Sequence, residues 1–213
     1  MIEQIKIGCA STKTTYGHRL DTTLVELNSD AKISGLFTSN KFKSAPVQIC
    51  LDQLETKMKG RKMLAINAGN ANAATGKKGV SDAKKLIQEI SNLTNISTAQ
   101  ILPFSTGVVG QLLDMKELSS AFNKCFKNLS KNSWDDFAKA IMTTDTKSKI
   151  IKLPFKAGSK KYHIIGIAKG VGMIEPNMAT TLSYVFTDLK IPELTLRKLH
   201  KRICDKTFNA ISI

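Results

Sequence analysis

The chain has 213 residues, with 32 Lys and Arg against 17 Asp and Glu, a formal net charge of +15, and 42% apolar and 23% charged residues. This mixed composition excludes collagen, coiled coil and wholesale disorder, and the length allows one domain, or two small ones, with a core that needs no covalent staples. Of the basic residues 28 are Lys and only 4 Arg, scattered along the chain, so the charge reads as a solvated surface in preference to a nucleic-acid footprint, which leans on Arg.

Taken in order, the first elements read as short strands: Ile5 and Ile7, then Leu24, Val25 and Leu27, then Leu36 and Phe37, with Asn28, Ser29 and Asp30 as turn formers. Val47 to Leu51 and Met63 to Ile66 are further strand candidates. A helical period follows in Ala83, Leu86, Ile87 and Ile90, with Ser81 as the N-cap. Asp114 stands in the same relation to Met115, Leu118 and Phe122. Ser133 and Asp136 resemble a capping box ahead of Phe137, Ala140 and Ile141. Lys149 to Phe155 and Tyr162 to Ala168 pair as strands about a Gly158-Ser159 turn, and Pro192 opens a last helix carrying Leu196, Leu199 and Ile203. The sum predicts an α/β or α+β layered fold with much antiparallel character. Phe208 to Ile213 reads as a strand with no polar tail, the pattern of a truncated sequence.

Cys9, Cys50, Cys125 and Cys204 lack CxxC spacing, and the sequence shows no secretory signal, so they are expected as reduced, buried thiols. No apolar run reaches the roughly 18 residues of a membrane-spanning helix. His18, His163 and His200 lie far apart and no HExxH occurs, so no metal is expected.

Four stretches are rich in small and oxygen-bearing residues. Asn67 to Gly76 follows a strand with three Asn and two Gly; a tight turn explains one or two of these residues, not the whole run. Ser105-Thr106-Gly107-Val108-Val109-Gly110 can aim a hydroxyl and a backbone N–H at one point, as an oxyanion hole requires, and any Gly-containing turn looks the same. Met142 to Thr146 either binds a polar ligand or caps a helix, the second being the plainer reading. Lys169 to Leu182 fits neither GxxxxGK[ST] nor GxGxxG. Thr180 is its candidate nucleophile, and its own α-amine would serve as base if the chain were cut just before it.

These segments, in this order, together with Gly35 to Asn40, Ala45-Pro46-Val47 and Phe208-Asn209, resemble the ornithine acetyltransferase family of arginine biosynthesis, also called bifunctional glutamate N-acetyltransferase. The resemblance implies a four-layer αββα fold, here incomplete. It implies one incomplete catalytic domain over 1–213, divided by self-cleavage between Ala179 and Thr180 into an alpha chain, 1–179, and the start of a beta chain, 180–213. Thr180 would be the N-terminal nucleophile, Thr106 and Gly107 the oxyanion hole, and Lys169, Thr143 and Thr180 substrate-binding residues, with Thr146 the second choice beside Thr143. The acetyl group would pass from N-acetylornithine to Thr180 and on to glutamate, releasing ornithine. No cofactor is implied, though some members accept acetyl-CoA as a co-substrate. The complete protein is expected as a cytoplasmic alpha2beta2 heterotetramer, with no nucleic-acid or membrane partner. Family members continue into a second half that completes the amino-acid pocket, and Glu175 and Thr181 depart from the common family pattern. The rival readings are an N-terminal-nucleophile aminopeptidase or amidohydrolase of the same broad fold, and a basic nucleic-acid-binding domain.

Overall fold

A computed structural model describes residues 2–56, 58–130, 132–171 and 181–211. Ala179 and Thr180, and with them the expected cleavage site, lie outside the described residues. The first sheet has the order β1-β2-β3-β4, built from β1 (Ile5–Ala10), β2 (Thr22–Leu27), β3 (Lys62–Asn70) and β4 (Ile101–Val108). β1 and β2 pair antiparallel, as do β2 and β3. β3 and β4 pair parallel, joined by the crossover helix α2 (Gly76–Thr94). The second sheet is antiparallel, order β5-β6-β7, from β5 (Lys149–Ala157), β6 (Lys160–Lys169) and β7 (Leu182–Thr187).

Alternation of side chains along each strand divides the core in two. Leu24, Met63, Ala65 and Ile101 face one way, onto Leu86, Ile87 and Ile90 of α2 and Leu118, Phe122 and Cys125 of α3 (Met115–Lys127). Val25, Leu64, Ile66 and Leu102 face the other way, onto Ile165, Ile167, Tyr184 and Phe186 of the second sheet. Trp134 and Phe137 of α4 (Trp134–Ala140) join this inter-sheet core, with Trp134 edge-on to Phe186 at 5.2 Å. The described residues therefore form helix, sheet and sheet layers, three layers of the expected arrangement. The four cysteines are buried and form no disulfide, and burial pushes the Cys9 thiol up to about 12. Among the described residues no group of three or more His, Cys, Asp or Glu is placed to hold a metal ion.

Several expectations need correction. Val47 to Leu51 is helical, inside α1 (Ala45–Glu55). Pro46 sits at the first turn, where its fixed φ suits a helix and its missing N–H costs nothing. Ile49 and Cys50 are buried there, so a short apolar run was ambiguous by period. Leu36 and Phe37 lie in irregular chain. α2 starts at Gly76, before Ser81, which lies within the helix. Ser133 occupies the N-cap position of α4 without capping it, its hydroxyl pairing with Ser130 at 2.8 Å. Asp114 does cap α3, accepting from the Glu117 N–H at 3.1 Å. The last helix, α5 (Glu193–Lys206), begins after Pro192, but its buried residue is Cys204, while Ile203 is 55% exposed. Phe208–Ala210 is a 3₁₀ turn, not a strand; Ile213 lies outside the described residues.

Candidate active site

Two strand ends meet at the edge of the inter-sheet core. Thr106 shares the inward face of β4 with Leu102 and Phe104, and Lys169 shares that of β6 with Ile165 and Ile167. Facing sheets stand about 10 Å apart, and the long lysine stem spans the gap. Lys169 Nζ donates to Thr106 Oγ1 at 3.0 Å, joining residues 63 positions apart. Both residues are buried, at 5% and 8% exposure. Burial lowers the Lys169 pKa and Lys149 adds to this, while Asp145 opposes it. An ammonium has only donors, so the Thr106 oxygen is the acceptor. The Thr106 hydroxyl proton is thereby left to donate to a third atom.

Gly107 follows in an unusual conformation, φ +131°. A Cβ there would stand 2.3 Å from the Gly69 carbonyl carbon and 2.6 Å from the Asn70 nitrogen, both backbone atoms. Only glycine fits, because the β3–β4 register shifts at this point: Gly69 faces Gly107, and Asn70 faces both Thr106 and Val108.

The Asn-rich run builds this shift. Far from being one tight turn, Asn67 to Asn70 is the end of β3 itself. Asn67 accepts from Ser105 Oγ at 2.6 Å and donates to the Asn70 carbonyl at 2.9 Å. Asn70 donates to the Gln111 and Leu112 carbonyls at 3.1 and 3.0 Å and accepts from the Asn72 N–H at 2.7 Å. Asn72, fully buried at φ +45°, donates to the Gly79 carbonyl at 3.0 Å and accepts from Thr75 Oγ1 at 2.8 Å. Amide side chains serve here because each both donates and accepts.

Thr143 lies just beyond α4, as expected of a segment at a helix end. Its N–H donates to Asp145 Oδ2 at 3.2 Å, and Asp145 Oδ1 accepts from the Gly170 N–H at 2.9 Å. Thr143 is thus tied to the residue after Lys169. Arg19, which has no motif around it in the sequence, donates to the Met142 carbonyl at 2.8 Å and stands over the Tyr16 ring at 3.7 Å. Beyond the undescribed stretch, Thr181 Oγ1 donates to the Lys169 carbonyl at 2.6 Å, and Lys169 faces Leu182 across the β6–β7 ladder. Of the expected site residues, Thr106 and Lys169 meet directly, Gly107 follows Thr106, and Thr143 is linked to Gly170 only through Asp145; Thr180 and Ala179 are outside the described residues.

In this layered two-sheet α/β chain a lysine-tethered threonine hydroxyl and the following glycine N–H stand side by side at a strand end, two donors of the kind a developing negative charge needs. A model of the ArgJ family matches residues 4–213. The chain belongs to the ArgJ family. It is similar to the arginine biosynthesis bifunctional protein ArgJ of Colwellia psychrerythraea, 39% identical over 221 residues, covering 100% of this chain and 52% of that protein. The ArgJ protein of Caldanaerobacter subterraneus is 40% identical over 193 residues, covering 91% of this chain and 47% of the relative. Among solved structures, ArgJ of Bacillus halodurans matches with a TM-score of 0.71 and 26% identity, over 82% of this chain and 91% of that one. The Mycobacterium tuberculosis ornithine acetyltransferase complexed with ornithine matches with a TM-score of 0.67 and 25% identity, over 86% and 93%. The chain spans about half the length of the curated relatives it matches.

Proposed function

We propose that this chain carries the nucleophile and oxyanion parts of an acetyltransferase that moves acetyl from N-acetylornithine to glutamate in arginine biosynthesis. The observation that carries the reading is the Lys169–Thr106 hydrogen bond beside Gly107, a cation-oriented hydroxyl next to a backbone N–H at a strand end. In the first reaction Thr180 Oγ attacks the Ala179 carbonyl, and Thr106 and Gly107 stabilise the oxyanion. The amide C–N bond breaks, leaving an ester and a free α-amine at Thr180; water opens the ester. That amine then takes the hydroxyl proton as Oγ attacks the acetyl carbonyl of N-acetylornithine. The proton passes to the departing ornithine amine. The glutamate amine attacks the acetyl-Thr180 ester, N-acetylglutamate leaves, and the threonine hydroxyl is restored. Thr143 and Lys169 would contact the amino-acid substrate.

Chain length supports the cleavage. This chain covers 91% and 93% of the solved relatives' chains but only 47% to 52% of the curated relatives, as expected if the family polypeptide is cut near its middle. Acetyl-CoA as a second donor, an alpha2beta2 assembly and a cytoplasmic location complete the proposal; among the described residues no helix is long and apolar enough to cross a membrane.

The test is intact-mass and peptide mass spectrometry of the full-length polypeptide that contains this chain, before and after N-acetylornithine is added. The expected result is cleavage at Ala179–Thr180 and one acetyl group on the new N-terminal Thr180 peptide. Processing or acetyl transfer that survives Thr180→Ala removes the assignment.

A further inference from the structure

The buried carboxylate of Asp145 gathers donors from three separate segments around Lys169. Its side chain is 1% exposed, and a carboxylate so buried needs partners for its oxygens. Oδ1 accepts from the Gly170 N–H at 2.9 Å and from Lys149 Nζ at 2.5 Å, and Oδ2 accepts from the Thr143 N–H at 3.2 Å. Gly170 has φ +139°, a conformation that side-chain-bearing residues rarely adopt, and its N–H meets the carboxylate there. Lys149 opens β5 opposite Ala168, one residue before Lys169. On the other side of the turn, Arg19 holds the carbonyls of Met142 and Thr143 at 2.8 and 3.4 Å.

We propose that Asp145 is a positioning residue, a clamp that joins the Thr143 turn to the end of β6 and so holds the Lys169 ammonium on Thr106 Oγ1. The proposal rests on the acetyltransferase reading for its purpose, but the clamp itself is measurable without any transfer reaction. Two charged groups act on Lys169, and they pull in opposite directions: Asp145 favours the ammonium and Lys149 disfavours it. Charge alone would shift the Lys169 midpoint wherever a carboxylate and an ammonium stood nearby, so what distinguishes the clamp is the hydrogen bond from the Gly170 N–H to Asp145 Oδ1.

The experiment follows the Lys169 titration by NMR in the 213-residue chain with ε-carbon-labelled lysine; the signal is assigned by its loss in Lys169→Met. Asp145→Asn is expected to lower the Lys169 midpoint, and Lys149→Met to raise it. The Gly170 amide should also exchange roughly ten- to hundredfold faster in Asp145→Asn, the loss expected for one charge-assisted hydrogen bond, while the Ile167 amide on the same strand keeps its protection. Unchanged protection of Gly170 in Asp145→Asn, or equal loss of protection at Gly170 and Ile167, overturns the clamp. If Asp145→Asn does not fold, Asp145→Glu, which keeps the charge but displaces the carboxylate, decides: Gly170 protection equal to that of the unaltered chain overturns the proposal. Selective loss of Gly170 protection in Asp145→Asn, alongside a full-length polypeptide that forms no acetyl-Thr180, would sink the acetyltransferase reading and leave the clamp standing.

Discussion

Gly107→Ala is the sharpest test of the strand bend at the site. The new Cβ meets three backbone atoms of the neighbouring strand: the Gly69 carbonyl carbon at 2.3 Å, and the Asn70 nitrogen and Gly69 carbonyl oxygen at 2.6 Å. None of these is the far end of a flexible side chain, so the β3–β4 register itself must shift. Overpacking of this kind costs about 1–3 kcal/mol. Holding alanine at φ +131° adds roughly 1–3 kcal/mol of backbone strain. The sum, about 2–6 kcal/mol, corresponds to a fall in Tm of roughly 5–20 °C for a chain of this size. Gly110→Ala is the control, since Gly110 also has positive φ, +84°, but nothing lies within 4 Å of an added Cβ. It should lose only the strain contribution. Calorimetry or circular dichroism melts of the three chains decide the matter. If Gly107→Ala melts no lower than Gly110→Ala, the close approach of the two strands at this point is wrong. In the full-length polypeptide, Gly107→Ala should also slow self-cleavage more than the lost stability explains, because displacing a donor by about 1 Å can cost on the order of a hundredfold in rate.

Lys169→Met keeps the stem that crosses the inter-sheet gap and removes the donor to Thr106; self-cleavage of the full-length polypeptide, followed by gel densitometry, should fall by roughly tenfold or more as the hydroxyl loses its fixed orientation. Tyr184→Phe should raise stability by about 1 kcal/mol, read from urea unfolding, because the Tyr184 hydroxyl is buried with no hydrogen-bond partner among the described residues and carries only a desolvation cost; a clear loss of stability would show that the hydroxyl is satisfied. Stability should also bend with pH at both ends. Burial pushes the Asp145 carboxyl upward, but the Lys149, Gly170 and Thr143 donors outweigh it and hold the pKa below the ordinary value; this contribution is complete above the ordinary carboxylate pKa and is lost as pH falls through the lowered one. Lys62 and Lys169 are lowered, chiefly by burial, so the unfolded chain binds more protons between their folded values and the ordinary lysine value, and stability rises with pH across that window. Urea midpoints measured over a pH series should show both limbs, with the alkaline rise flattened in Lys62→Met with Lys169→Met; an alkaline limb unchanged in that double variant contradicts the assignment.

Much of the fold was legible because period and punctuation agreed. The hairpin of β5 and β6 turns at Gly158, φ +63°, where its sequence placed it. Asp114 caps α3 as its spacing predicts. Where local and tertiary signals conflicted, the sequence misled. Val47 and Ile49 favour strands by type, yet α1 is helical because Pro46 starts it and Ile49 and Cys50 find buried sites at helical spacing. The convergence of Thr106, Gly107 and Lys169 was anticipated through ordered motifs, since spacing alone cannot reveal which strands face each other. A tight turn accounts for only part of the Asn run; the rest is explained by side-chain amides that bond backbone carbonyls of the strand end, the following loop and the start of α2. Arg19 and Asp145 left no comparable signal. A lone arginine and an aspartate in a Thr-rich turn have local explanations, and their partners lie 123 and 25 positions away.

The distance from Lys169 Nζ to Thr106 Oγ1 is set by the packing between the two sheets, not within either one. That packing is aromatic beside the site. Phe104, two residues before Thr106, meets Tyr184, two residues after Leu182, edge-to-face at 5.4 Å, and Phe137 stacks on Tyr184 at 5.2 Å in a tilted pair. Rings in such contacts have few rotamers and are worth about 0.5–1.5 kcal/mol per pair beyond their buried area. They fix the sheet separation one rung away from the lysine. A hydroxyl that must donate to a developing charge gains most from being oriented in advance, because no reorganisation is then spent at the moment of reaction. The ammonium supplies the orientation, the aromatic layer supplies the spacing, and the glycine-only bend lets the next backbone N–H lie close to the neighbouring strand. The chemical half of the site is therefore a product of how the two sheets pack, and the residues that control it include Phe104, Phe137 and Tyr184, which carry no reactive group.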